Sequence, residues 1–125
     1  MRCQYCHNPD TWDPQRKCQY ELTPEELLAE VKRYKNFIKT GGVTCTGGEP
    51  LMRKDLEKCG RAIYDRGFPW GMVTNGLAMT RERFGSLLAS GLHSATVSLD
   101  GLEEDHNHMR GNQNSFRTAS DAIEM

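Results

Sequence analysis

The chain has 125 residues, about the length of one domain, and 37% of them are hydrophobic, which is enough for a globular core. Acidic and basic residues nearly cancel to a formal net charge of -1, so no overall basic excess favours a nucleic-acid partner. No apolar run approaches the roughly 18 residues of a membrane span, and the chain starts on polar and cysteine residues rather than on a signal peptide. These features favour a cytoplasmic, reducing compartment, and five cysteines, an odd number, argue against a disulfide framework.

A cysteine pair stands near the start of the chain, in the stretch RCQYCHNP at residues 2–9. Cys3 and Cys6 are separated by two residues, a spacing found in zinc sites, redox disulfides, covalent haem attachment and iron–sulfur ligation. The spacing by itself does not distinguish these four kinds of site.

The first predicted helix covers residues 22–38, LTPEELLAEVKRYKNFI, because its apolar residues recur at helical spacing. Thr23 is a candidate N-cap, Pro24 suits the first turn, and Glu26 supplies the acid of a capping box. The apolar residues that share one face of this helix are Leu27, Leu28, Val31 and Ile38.

Strands and helices are predicted to alternate through the rest of the chain. The strands are expected at residues 42–46, 68–74 and 94–99, and the helices at residues 53–66, 81–90 and 115–125. Gly67 and Gly91 are placed to end the second and third helices, and Thr80 is a candidate N-cap of the third.

Three successive helix-then-strand units imply parallel strands joined by crossover helices, and therefore an α/β fold. The motifs TGGEP at 46–50, TNG at 74–76 and SLDG at 98–101 each stand at the carboxyl end of a predicted strand. Each motif alone is an ordinary turn sequence, since glycine tolerates positive φ at little cost. Their repetition at one edge of a parallel sheet predicts a functional site there.

Taken together, these motifs resemble those of the radical S-adenosylmethionine (SAM) enzymes. The cluster loop of that family reads Cys-x-x-x-Cys-x-aromatic-Cys, the next strand ends in Gly-Gly-Glu, and Tyr5 fills the aromatic position. The similarity extends over most of the chain, with TNG and SLDG at the later strand ends. It implies that the α/β fold is a fragment of a parallel partial (β/α)6 barrel.

The resemblance also implies a [4Fe–4S] cluster and SAM as cofactors. In the family, three thiolates bind three irons, SAM chelates the fourth, and an electron from the cluster cleaves SAM to a 5′-deoxyadenosyl radical. The metal ligands that the resemblance implies are Cys3 and Cys6. The implied cofactor-binding residues are Tyr5 near the adenine, Gly47, Gly48 and Glu49 at the methionine end, Ser98 and Asp100 near the ribose, Arg110 at the carboxylate, and Asn75.

The chain departs from the family pattern at its first cluster ligand, which should lie four residues before Cys3. Cys18, Cys45 and Cys59 are not at family spacing. We therefore expect residues 1–125 to form a single incomplete core domain that lacks its first and last strands. Such a truncated chain is expected to be inactive alone, with unpaired sheet edges that favour association.

The two parts of the chain resemble two different subfamilies of these enzymes. Residues 1–52, especially RCQYCHNPDTWD and GGVTCTGGEPLM, resemble the activating enzymes of pyruvate formate-lyase, which place a glycyl radical on a partner protein. From residue 53 onward, RKDLEKCGRAIYDRGFPWGMVTNG at 53–76 and SATVSLDGLEEDHNHMRG at 94–111 resemble peptide-modifying radical enzymes of the sulfatase-maturase type. The implied partners are a protein or peptide substrate, foremost a glycyl radical enzyme, and a flavodoxin- or ferredoxin-type electron donor.

Functions outside this family remain open alternatives. CQYCH fits covalent haem attachment, and a zinc- or iron-binding module could recruit His106 and His108, although a histidine pair in a polar loop is usually solvated surface. A thioredoxin-like dithiol would be expected after a strand, at the start of a helix. We interpret four residues as packing residues: Trp12, Trp70, Cys45 and Cys59. Cys18 is interpreted as a loop thiol, and EEDH at 103–106 as a solvated loop.

Overall fold

Helices and strands alternate along residues 21–38 and 41–125, the part of the chain that the computed structural model describes. The strands are β1 at Val43–Cys45, β2 at Trp70–Thr74 and β3 at Leu92–Val97. The helices are α1 at Pro24–Arg33, α2 at Lys35–Ile38, α3 at Leu56–Tyr64, α4 at Arg81–Ala89, α5 at Glu103–Arg110 and α6 at Ser115–Ile123. A short 3-10 helix at Pro50–Met52 follows β1.

The three strands form one parallel sheet in the order β1-β2-β3. Val43 pairs with Trp70 on one side of β2, and Thr74 pairs with Val97 on the other. Within the described residues the sheet is not closed into a barrel. This arrangement confirms the predicted α/β fold with parallel strands and is consistent with part of a (β/α) barrel.

Helix α1 begins as its sequence predicts. The Thr23 side chain accepts a hydrogen bond from the Glu26 backbone N–H at 3.2 Å, and the Glu26 carboxylate accepts one from the Thr23 N–H at 2.8 Å. This reciprocal capping box satisfies two backbone donors that the first turn leaves free. The helix ends earlier than predicted, because Tyr34 leaves helical geometry and separates α1 from α2.

Acid is expected to loosen the start of α1. The backbone and side-chain hydrogen bonds from Thr23 lower the pKa of the Glu26 carboxyl below its ordinary value. A carboxyl whose pKa is lower in the folded state contributes stability above its unfolded pKa, and that contribution is lost as pH falls through the folded pKa. The protection factor of the Thr23 amide, which is the intrinsic exchange rate divided by the observed rate at the same pH, should therefore fall on acidification, and a Glu26→Gln variant should not show that step. The same acid step in both proteins would contradict this assignment.

Helices α3 and α4 end near the glycines predicted to end them. Gly67 has φ 80° and Gly91 has φ 88°, values in the left-handed region that favours glycine. Thr80 caps α4 as predicted, because its hydroxyl accepts a hydrogen bond from the Arg83 N–H at 3.1 Å. Strand β3 starts two residues before its predicted position, since the buried Leu92 already pairs with β2.

The prediction of a solvated loop at residues 103–106 is wrong. These residues form the first half of α5, with three acidic residues in its first turn and Arg110 in its last. That charge order complements the helix dipole, and Gly111 ends the helix at φ 60°. His106, interpreted as a surface residue, has only 1% of its area exposed because α6 packs against α5.

The core lies between the sheet and helices α1, α3 and α4. Its large, almost fully buried hydrophobic side chains are Leu56, Ile63, Trp70, Met72 and Leu87, and Cys59 is buried beside them. The Trp70 indole N–H donates to the backbone carbonyl of Ser90 at 3.1 Å, which satisfies its polar atom inside the core. Trp70 and Cys59 are therefore packing residues, as predicted, whereas Trp12 and Cys18 lie outside the described residues. Among the described helices, none has the length and apolar character required to cross a membrane.

Candidate functional site

Three loops follow the three strands at their carboxyl ends. Because the strands are parallel and adjacent, the loops beginning at residues 46, 75 and 98 lie along one edge of the sheet. The backbone N–H of Ser98 donates to the Thr74 carbonyl at 2.9 Å and joins the second and third loops at their bases. The three motifs are therefore gathered on one edge, as their positions after the strands predict.

The first loop contains two consecutive residues in the left-handed region. Gly47 has φ 81° and Gly48 has φ 60°, and both are exposed. A side chain at either position would strain the backbone, so the loop requires glycine. Successive backbone N–H groups without side chains over them form a surface that polar ligand groups can approach closely. The assignment of Gly47 and Gly48 to the methionine end of SAM stays a prediction.

Glu49 joins the first loop to the second. Its Oε1 accepts hydrogen bonds from the Thr74 hydroxyl at 2.7 Å and from the Leu51 N–H at 3.1 Å. Its Oε2 accepts one from the Asn75 N–H at 2.7 Å. Both carboxylate oxygens are thus bound within the protein, and of about four lone-pair sites one, on Oε2, remains for a ligand. The sequence interpretation assigned Glu49 to a ligand alone, so its role in joining the loops was missed.

Thr74 and Asn75 shape the second loop. The Thr74 side chain is buried, and its hydroxyl accepts from the Gly76 N–H at 3.0 Å while donating to Glu49. The Asn75 side-chain oxygen accepts from the Leu77 N–H at 2.9 Å, which is an Asx turn. Asn75 is therefore at the predicted edge with its side-chain oxygen bonded to the loop itself. Thr74 was not singled out by the sequence, although it precedes Asn75 directly.

Asp100 of the third loop and Arg110 of α5 form an ion pair. The Arg110 guanidinium forms a bidentate ion pair with Asp100, through Nε to Oδ2 and through Nη2 to Oδ1 at 3.0 Å. Only 13% of the Arg110 side chain and 25% of the Asp100 side chain are exposed. Bidentate geometry and partial burial make this pair stronger than an ordinary surface ion pair. Ser98 lies at the base of the same loop and is half-buried.

The described cysteines, Cys45 and Cys59, lie in environments that favour the neutral thiol. Burial, and secondarily the nearby Cys59, raises the pKa of the Cys45 thiol. Burial, and secondarily Asp55, raises the pKa of the Cys59 thiol. Metal ligation needs the thiolate, and both shifts disfavour it. In residues 21–38 and 41–125, no cluster of three or more histidine, cysteine or acidic side chains could hold a metal ion. The predicted metal ligands Cys3 and Cys6, and Tyr5 beside them, lie outside the described residues.

A parallel α/β sheet with a glycine-rich loop and two further loops on one edge defines a class of cofactor-binding domain. The family model of the radical SAM superfamily matches residues 1–125, and the chain belongs to that superfamily. Among curated relatives, it is 46% identical over 57 residues to the pyruvate formate-lyase-activating enzyme of Streptococcus mutans, covering 45% of this chain and 22% of the relative.

Two further relatives are also named as activating enzymes of pyruvate formate-lyase. The chain is 40% identical over 79 residues to the pyruvate formate-lyase 1-activating enzyme of Escherichia coli K12, covering 61% of the chain and 31% of the relative. It is 42% identical over 73 residues to the pyruvate formate-lyase-activating enzyme of Staphylococcus aureus USA300, covering 54% and 28%. The matches span less than a third of each relative. None of these three is a peptide-modifying maturase, so that resemblance stays a prediction.

Proposed function

We propose that this chain is the SAM-binding part of an enzyme that activates a glycyl radical enzyme. The first candidate for the activated enzyme is a pyruvate formate-lyase. The observation that carries the proposal is the exposed Gly47-Gly48 turn, fixed through Glu49 to the second loop at the carboxyl edge of a parallel sheet. Superfamily membership and the names of the relatives supply the reaction class. When bound, a [4Fe–4S] cluster and SAM supply reductive cleavage of the sulfonium bond.

The residues of the first loop would hold the methionine end of SAM. Backbone groups at Gly47 and Gly48 can approach the ligand closely because neither residue has a side chain. Glu49 would orient the amine with the one lone pair of Oε2 that its internal hydrogen bonds leave over. Cys3 and Cys6 would bind the cluster, and Tyr5 would lie near the adenine.

The third loop would hold the ribose and the carboxylate. Asp100 would accept hydrogen bonds from the ribose hydroxyls, and Ser98 would accept or donate one. Asn75 would contribute a further hydrogen bond from the neighbouring loop. Arg110 uses Nε and Nη2 for Asp100, which leaves Nη1 to meet the ligand carboxylate. One arginine would thus fix both an acidic side chain and an anionic ligand group.

The proposed substrate is a protein, and exposed apolar residues follow two of the strand-end loops in sequence. Met52 and Leu102 have 74% and 79% of their areas exposed, and they flank the first and third loops. We further propose a flavodoxin- or ferredoxin-type electron donor and a cytoplasmic location, the reducing compartment that iron–sulfur ligation by free thiols requires.

A second candidate function is peptide modification by a radical maturase. It is favoured by residues 94–111, SATVSLDGLEEDHNHMRG, which resemble such enzymes. The two candidates differ in their substrates. A glycyl radical that appears on purified pyruvate formate-lyase, detected by electron paramagnetic resonance, would support the first, and modification of a sulfatase-type peptide instead would support the second.

The shared chemistry is tested on the whole enzyme of which this chain is proposed to be a part, by reconstituting it anaerobically with iron and sulfide and measuring 5′-deoxyadenosine formed from SAM. Cys3→Ala and Cys6→Ala are each expected to abolish product formation, because each removes a cluster thiolate. Cys18→Ala is the matched control and should retain activity, since Cys18 is not at family spacing. Full activity without Cys3 or Cys6 would contradict the proposal. Stable zinc binding without SAM cleavage would instead indicate a non-enzymatic metal-binding module.

A further inference from the structure

His106 is a buried histidine that contacts the third loop from inside the protein. It lies in the middle of α5, and its Nδ1 is 3.0 Å from the backbone nitrogen of Asp100. Its Nε2 is 3.1 Å from the Ser115 hydroxyl at the start of α6, and the Phe116 ring packs edge-on against the imidazole. Both ring nitrogens therefore have partners within the described residues, on two different segments.

These contacts specify the tautomer of the imidazole. A backbone N–H can only donate, so Nδ1 must offer its lone pair to Asp100 and cannot carry a proton. The ring proton then lies on Nε2 and is donated to the Ser115 hydroxyl. The Asp100 carboxylate is 3.8 Å from Nδ1, too far for a hydrogen bond, and it is engaged by Arg110. The geometry therefore fits a neutral imidazole that accepts a hydrogen bond at Nδ1, and not a histidinium paired with the Asp100 carboxylate.

His106 and Arg110 are four residues apart on α5, so they lie on the same face of that helix. One binds the Asp100 backbone and the other binds the Asp100 carboxylate. Asp100 is therefore fixed at two points by one helix. Gly101, directly after Asp100, has φ 151°, a conformation that favours glycine.

We propose that His106 is a positioning residue that, as an Nδ1 acceptor, holds the third loop in the conformation that binds the cofactor. The proposal rests on the proposed function for its ligand, SAM, but the positioning itself is a property of the free protein. Ser115 fixes the ring from the opposite side and keeps Nδ1 directed at Asp100. His106 itself, almost fully buried, would not touch the ligand.

A matched pair of amide variants tests which ring nitrogen matters. In His106→Asn the side-chain oxygen takes the place of Nδ1, whereas in His106→Gln the amide reaches the place of Nε2. Both variants are neutral and polar, so they differ mainly in which partner they retain. The first readout is amide hydrogen exchange at Asp100 in the free protein, followed by NMR. The second is the dissociation constant for SAM, measured by calorimetry on the reconstituted whole enzyme of which this chain is proposed to be a part.

His106→Gln is expected to accelerate exchange of the Asp100 amide at least about tenfold and to weaken SAM binding about tenfold, the loss of roughly one well-formed hydrogen bond. His106→Asn should restore both values to within about threefold of the unmodified protein. Equal effects of the two variants, or a larger effect of His106→Asn, would overturn the proposal. If the unmodified protein fails to bind SAM, the proposed function fails, while Asp100 exchange still decides whether His106 holds the loop.

Discussion

Replacing Glu49 with alanine is expected to lower the free energy of unfolding by about 2–3 kcal/mol, in addition to weakening SAM binding. The substitution removes the common acceptor of three donors: the Leu51 N–H, the Thr74 hydroxyl and the Asn75 N–H. Thr74 is buried, so water cannot freely replace the lost partner of its hydroxyl. A buried donor without an acceptor costs about 1–3 kcal/mol, and partial exposure of the other two reduces their share. Urea unfolding of the apoprotein measures this effect without any cofactor.

The control for this prediction is Glu49→Gln, which keeps the shape of the side chain. Its single oxygen can still accept from Leu51 and Thr74, but its amide group would then face the Asn75 N–H, donor against donor. We expect a loss of about 1 kcal/mol, intermediate between the unmodified protein and Glu49→Ala. If both variants unfold at the same urea concentration as the unmodified protein, Glu49 does not join the loops and acts on the ligand alone.

Replacing Gly60 with alanine is expected to destabilise the fold by about 2–3 kcal/mol, although alanine is the better helix former. Gly60 lies on α3 against the Trp70 indole, and a Cβ there would overlap two ring carbons and lie 2.8 Å from Nε1. The indole cannot move easily, because it is almost fully buried and its N–H is bonded to the Ser90 carbonyl. Overpacking and loss of that hydrogen bond should outweigh the gain in helix propensity of about 1 kcal/mol.

The matched control is the same substitution at Gly85 in α4. Gly85 is exposed, and a Cβ built there meets no atom within 4 Å. Gly85→Ala should therefore raise the free energy of unfolding by up to about 1 kcal/mol through helix propensity alone. Thermal or urea unfolding of the two variants should thus shift in opposite directions. Shifts of the same sign would mean that the indole accommodates the methyl group.

Local sequence features predicted most helix ends and the parallel sheet. Thr23 and Thr80 cap helices, and Gly67 and Gly91 follow helix ends, because capping depends on residues within one turn. The order of helices and strands was sufficient to place the three motifs on one edge. The break at Tyr34 was not predicted, since the helical pattern of apolar residues continues past it.

The contacts within the site could not be predicted, because they join residues far apart in sequence. Glu49 and Thr74 are 25 residues apart, and nothing in either motif indicates that their side chains meet. The burial of His106 likewise depends on the packing of α6 onto α5. Helix α5 itself could have been predicted, because its acidic first turn, terminal Arg110 and following Gly111 are all local features.

The hydrogen bonds of Glu49 have a consequence for the thermodynamics of binding. They immobilise the first and second loops in the free protein, so the conformational entropy of these residues is lost during folding and not when a ligand arrives. Ordering the backbone of one residue costs about 1–2 kcal/mol at room temperature. When the loops are already ordered, ligand binding does not have to offset this loss of entropy. A larger share of the contact energy at this edge then appears as affinity.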